Sequence, residues 1–272
     1  MEKLTFLFLL FLFFSCSQYY KFDALYDKGE YFKAYQMLEN IKNKDSVHYR
    51  IRKYRIILKL SFEGDKDFLE KLKNFINEDV GKELRGYNFL GRGFISYIGA
   101  KSKADYSNTL DLLEKVKPVP KEFENYFYLI RGISKYKIKD YTGAIADLSK
   151  AYSIERSPDT LYFIGMSYFN QGRLQEARLY FEKIFNITLD NFFLSLAYFQ
   201  IGEIYYEQQD YQKAIEYYSK AIENYSEIPE YSFKLAKSLQ RLGYSEMALK
   251  YLKTALRVDR NYATAWFYLN IN

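Results

Sequence analysis

Gly132, Gly165, Gly202 and Ala236 are each followed, twelve residues later, by an alanine: Ala144, Ala177, Ala214 and Ala248. The four heads lie 33, 37 and 34 residues apart. Self-similarity at such a period marks an array of small units, none of which can bury its apolar face alone. Small residues recurring in this way suit two antiparallel helices, which approach closely only where a short side chain leaves room for the partner's ridge. Larger residues, Tyr168, Tyr205, Phe181 and Tyr218, are left to fill the gaps between successive pairs. With only 13 Gly and 4 Pro in 272 residues, few breakers interrupt a helical chain. Aromatic residues make up 20% of it, which suits a thin two-layer body lined by amphipathic rings. Gln171-Gly172-Arg173, Gln208-Gln209-Asp210 and Leu242-Gly243-Tyr244 read as the turns within pairs, and Pro158 and Pro229 as the starts of first helices. The interval of 37 places an insertion of three near Asn186 to Asn191. The expected fold is all-α, an α-solenoid of antiparallel helix pairs.

These residues resemble the tetratricopeptide repeat, a 34-residue pattern with Leu-Gly, then Tyr, then Ala, Phe and Ala at fixed offsets. Ile164-Gly165 with Tyr168, Ala177 and Phe181 match one copy, and Ile201-Gly202 with Tyr205, Ala214, Tyr218 and Ala221 match the next. Ala236, Leu239, Ala248, Leu252 and Ala255 form a third, while Gly132, Ala144, Leu148 and Ala151 complete the set. Trp266 and Leu269 open a further first helix. The resemblance implies a right-handed superhelix whose first helices line a concave groove that takes a protein or peptide ligand. Counted from Asn125, Pro158, Ser195, Pro229 and Ala263, the fifth positions are Leu129, Tyr162, Phe199, Phe233 and Phe267. The twelfth positions are Tyr136, Phe169, Tyr206 and Gln240. The mostly aromatic column, Leu129, Tyr136, Tyr162, Phe169, Phe199, Tyr206, Phe233 and Phe267, is the candidate partner-binding groove, although each ring could equally pack between neighbouring helices. Family members that grip a C-terminal carboxylate place Lys, Asn and Arg in this groove. Here the ninth positions are Ile133, Met166, Glu203 and Lys237, so an apolar or aromatic-rich segment, extended or helical, is the expected ligand.

The first sixteen residues have a different character. Lys3 precedes an apolar run from Leu4 to Phe14, followed by Ser15 and Cys16. The run is an export-signal pattern and falls short of the ~20 residues a spanning helix needs. Phe13-Phe14-Ser15-Cys16 resembles the bacterial lipobox, with Phe at two positions where that pattern prefers Leu and a small residue. The resemblance implies cleavage after residue 15 and lipidation of Cys16, the only cysteine, placing the protein in the cell envelope anchored by its acyl chains. An ordinary secreted or cytosolic chain with an incidental Cys16 is the competing reading.

Between these regions the pattern is degenerate. Tyr26-Asp27-Lys28-Gly29-Glu30-Tyr31 with Ala34 and Leu38 reads as the turn and second helix of a repeat. Val47–Phe62 with Phe68–Ile76, and Leu84–Ile98 with Tyr106–Val116, have hairpin length and apolar periodicity without the signature Gly and Ala positions. The expected organisation is a signal segment over 1–15, divergent repeats over 16–120 and a well-formed array over 121–272, divided at Pro118-Val119-Pro120.

No constellation for chemistry accompanies the repeats. His48 lacks a second His or Cys at metal-ligand spacing. Gly86 to Gly93 has glycines at phosphate-loop spacing but ends in Arg92-Gly93, where Lys and Ser or Thr would be required, and reads better as a closely packed helix. Gly165-Met166-Ser167 lies inside a repeat helix, not on a nucleophile elbow. The net charge of +6 is spread along the chain, which argues against nucleic acid as a partner. The expectation is a membrane-anchored, non-catalytic scaffold for protein–protein interactions that needs no cofactor or metal. The alternatives are a carrier of an apolar ligand or glycan, and a noncatalytic subunit of an envelope assembly or peptidoglycan-related complex.

Overall fold

The structure, a computed structural model, describes residues 19–265 except 42, 43, 45 and 79, together with Tyr268. Among the described residues every regular element is a helix, so the chain is all-α as expected. Two compact units divide between Ile130 and Arg131. The division falls inside the helix Glu124–Lys137, not at the Pro118–Pro120 break.

The first unit contains α1 (19–27), α2 (Tyr31–Glu39), α3 (Val47–Phe62), α4 (Lys66–Phe75), α5 (Arg85–Gly99) and α6 (Lys103–Leu113), with α3 packed on α4 and α5 on α6. The Gly86–Gly93 segment is helical, and its glycines mark close approaches. A Cβ at Gly93 would sit 2.6 Å from Leu113 Cδ2, and one at Gly91 would sit 3.1 Å from Ile76 Cγ2. A buried polar knot takes the place of the missing Gly/Ala signature. Tyr54 donates to the Phe75 carbonyl, and Asn88 donates to Tyr54 Oη and to the Ile76 carbonyl. Arg92 adds two further bonds to that carbonyl, capping the C-terminal end of α4.

Helix α7 (Glu124–Lys137) carries the chain into the second unit: α8 (Tyr141–Ile154), α9 (Pro158–Asn170), α10 (Leu174–Ile184), α11 (Asn191–Glu207), α12 (Tyr211–Asn224), α13 (Pro229–Arg241) and α14 (Ser245–Val258). Each packs on the next from α8 to α14, the stacking of an α-solenoid. At the crossings each glycine faces the large residue sixteen positions on. A Cβ at Gly132, Gly165 or Gly202 would lie 2.7, 2.6 and 2.7 Å from Leu148, Phe181 and Tyr218 respectively. Ala144, Ala177, Ala214, Ala236 and Ala248 are all buried. The inserted residues do more than lengthen a loop, because α11 starts at Asn191, a full turn ahead of the repeat start at Ser195.

Six hairpin turns share one backbone solution, the α5–α6 turn at Ala100 being the exception. Gly29, Gly64, Lys139, Gly172, Gln209 and Gly243 all have φ between 63° and 87°. In each case the following N–H bonds back five residues, as from Asp140 to Lys135, Arg173 to Tyr168 and Asp210 to Tyr205. This is the Schellman closure, which satisfies the last carbonyls of one helix. Asp65, Asp140 and Asp210, one residue beyond the left-handed position, then cap the next helix through their side chains.

Candidate functional site

The candidate column comes from the first helix of each pair, where residues seven apart share a face. Tyr136 on α7 meets Phe163 on α9 edge-on at 5.4 Å and accepts from Asn170 Nδ2 at 3.4 Å. Tyr162 accepts from Gln200 Nε2 of α11, also at 3.4 Å. Both phenols are half-buried, and burial is the main cause that raises their pKa, for Tyr162 to about 12. They are therefore neutral, partly exposed hydrogen-bonding groups. Phe169 and Met166 are half-buried on the same helix.

Further along, the column changes character. Phe199 and Phe233 are only 5% exposed. Phe199 stacks on Tyr231 of α13 at 4.7 Å, and Phe233 meets Tyr262 and Tyr268 at 5.8 and 5.6 Å. These two rings are core between neighbouring pairs, which corrects the expectation that they face the groove. The physical reason is the approach of adjacent first helices, which closes over the ring face. Tyr206 is half-buried and ringed by cations, with Lys234 Nζ at 5.9 Å and Lys237 Nζ at 5.4 Å from its centroid. Glu203, at a ninth position, accepts from both Lys234 and the Tyr218 hydroxyl. Burial and then the Glu203 carboxylate push the Tyr218 phenol far above its usual range, so it stays a donor. Sequence reading placed Glu203 in the groove but missed its ties to Lys234 and Tyr218, because neither partner follows from the repeat pattern. Leu129 is half-buried on α7, in the first unit.

Phe267 and Cys16 lie outside the described residues. His48 is exposed, its ring 6.0 Å from that of Tyr19. Among the described residues no group of three or more His, Cys, Asp or Glu could hold a metal ion, and no helix is long and apolar enough to cross a membrane.

Comparison with known proteins agrees with the geometry. Tetratricopeptide repeat family models match residues 156–227 and 229–262. Anaphase-promoting complex subunit 3 of Schizosaccharomyces pombe is 26% identical over 166 residues, covering 61% of this chain and 24% of that protein. The match thus spans about a quarter of the relative's length. Among solved structures, MamA shares 22% identity at a TM-score of 0.51, covering 60% of this chain and 93% of that one. MamA residues 41 to the end from Desulfovibrio magneticus RS-1 share 16% at 0.55, covering 68% and 99%. YrrB, described as a TPR protein with an unusual peptide-binding site, shares 14% at 0.52, covering 74% and 99%. At these identities the likeness to solved structures is one of fold. Both family matches fall on α9 to α14, which carry three of the four Gly/Ala crossings and the left-handed turns at Gly172, Gln209 and Gly243, and residues 156–262 are built of tetratricopeptide repeats.

Proposed function

We propose that the second unit is a protein-interaction scaffold that binds a peptide or protein segment along the face of its first helices. The supporting observation is the register of half-exposed rings on that face, Tyr136, Tyr162, Phe169 and Tyr206. Each offers apolar area at small entropic cost, and the tyrosines add a neutral hydrogen-bonding edge. Repeat arrays suit this task because stacking leaves a long surface that no single helix pair could present. Crosslinking in intact cells, followed by identification of the captured protein, supplies the partner. Tyr162→Ala and Phe169→Ala are then expected to weaken capture about tenfold each, near 1.4 kcal/mol, with helicity retained. Charge reversal at exposed Lys183 should leave capture nearly unchanged. The opposite pattern would move recognition off the first-helix face.

The scaffold reading extends to location. A lone Cys at the end of an apolar run supports cleavage at Cys16, acylation there and attachment to an envelope membrane. Cys16→Ala should shift the protein from the membrane to the soluble fraction. Unaltered membrane association would sink the anchor.

A further inference from the structure

Helices α12 and α14 occupy the same place in consecutive pairs, and the 34-residue interval relates them residue by residue. Ile215 and Glu216 correspond to Leu249 and Lys250, and Ile222 and Glu223 to Leu256 and Arg257. Each helix therefore carries an aliphatic residue followed by a charge, repeated seven residues on, with the charge sign inverted between the two. Seven is the spacing that keeps a seam on one side of a helix facing a partner helix. The equivalent positions are Arg178 and Leu179 on α10 with Phe185 and Asn186 just beyond its end, and Ile145, Ala146, Tyr152 and Ser153 on α8. The fold uses the apolar positions for packing but does not demand the charges, since Ala146, Ser153, Leu179 and Asn186 stand at the equivalent places in the other two pairs.

The charges are presented to solvent, whereas Ile215, Ile222 and Leu256 are half-buried against the core of the second unit, leaving Leu249 as the exposed aliphatic residue of the set. Glu216, Glu223, Lys250, Lys253 and Arg257 are exposed, and Leu249 keeps 43% of its surface. Glu223, Lys250, Lys253 and Arg257 form no ion pair among the described residues, and Glu216 makes only an exposed i,i+4 pair with Lys220 at 2.6 Å. Such a pair contributes a fraction of a kcal/mol and leaves the carboxylate available.

We propose that this surface pairs with the same surface of a second copy of the chain, α12 of one copy lying against α14 of the other. A two-fold axis parallel to the two helices makes that pairing twice and keeps repeat-related residues at one height. Glu216 then meets Lys250 of the second copy, Glu223 meets its Arg257, and the exposed Leu249 of each copy fills the seam beside them. Pairing α12 with α12, or α14 with α14, would set like charges against each other, so the charges select the arrangement as well as favouring contact. The proposal is independent of what the first-helix face binds, because it uses the second helices.

Sedimentation velocity on the full chain in mild detergent tests it. The expected result is a dimer at low salt that dissociates near 1 M salt, where charges are screened beyond about 3 Å. Glu216→Lys with Glu223→Lys should raise the dissociation constant about tenfold or more, as should Lys250→Glu with Arg257→Glu. Combining all four reversals should restore the dimer, because the signs are then exchanged between the helices. Circular dichroism on each variant separates loss of pairing from loss of fold. A parent protein that stays monomeric at low salt overturns the proposal. So does a folded four-fold variant that stays monomeric.

Discussion

Asp147 is 3% exposed and holds two cations: Arg131 by a two-pronged bond of 2.8 and 2.5 Å, and Lys135 at 2.8 Å. Burial alone would raise its pKa, but hydrogen bonds from Arg131 and Lys135 outweigh it and hold the carboxyl below its usual range. The pairing has a counterpart in later repeats. Lys135 and Asp147 stand twelve apart, where Tyr168 and Tyr180, then Tyr205 and Tyr217, stack at 5.3 Å with nearly equal tilt. One position pair thus serves as an ion pair in one repeat and a ring stack in two others. Asp147→Asn should cost about 2–3 kcal/mol at pH 7, since it leaves two half-buried cations short of a partner. Because the folded pKa is depressed, the carboxylate's contribution is complete above its unfolded value, about 3.9, and is lost as pH falls through the folded value. Urea melts at pH 7 and at strongly acid pH should show the variant's deficit shrinking on the acid side. A deficit independent of pH would mean that lost packing, and not charge, is responsible.

At the scale of the element, the recurring device is the left-handed turn joining the helices of a pair. Four of its six occupants are glycine, while Lys139 and Gln209 take the same conformation with a side chain, at φ 72° and 63°. A Cβ in this region costs about 1–2 kcal/mol, offset in part by the greater chain entropy a glycine loses on folding. Gln209→Gly is therefore expected to raise stability by about 0.5–1 kcal/mol, and Gly172→Ala to lower it by a similar amount, both read as shifts in thermal midpoint. Equal midpoints for Gln209→Gly and the parent would show that the Gln209 side chain compensates its backbone. The turn was legible in part. Gly29, Gly172 and Gly243 stood out as turn glycines in the sequence, whereas Lys139 carries no such signal, and Gly64 lies in a half whose other signature positions are missing.

Across the molecule, packing between neighbouring helix pairs decides how damage spreads. In the second unit each pair rests on the next, so stability is a sum of intrinsic and nearest-neighbour contributions. Ala214 is fully buried in the α11–α12 crossing. Ala214→Leu should overpack it by about 1–3 kcal/mol. Hydrogen exchange should then show lost protection spreading from α11 and α12 to α10 and α13, while α3 to α6 of the first unit keep theirs. Uniform loss over both units would mean that the chain unfolds as one cooperative body.

The sequence by itself determined the helix pairs of the second half, because period, small-residue positions and turn residues are local signals that agree with one another. It also gave the span of α3 and the helical state of Gly86–Gly93. Tertiary structure alone decided which aromatic residues are surface. Phe199 and Phe233 stand at the same repeat position as Tyr162, yet stacking on Tyr231, Tyr262 and Tyr268 buries the first two while Tyr162 stays half-exposed. A periodic pattern reports which side of its own helix a residue occupies. Only the approach of the neighbouring helix reports whether that side is covered. The same holds for the Asn88–Tyr54–Ile76 knot and the Glu203–Lys234 pair, whose partners come from different helices at separations that no repeat fixes.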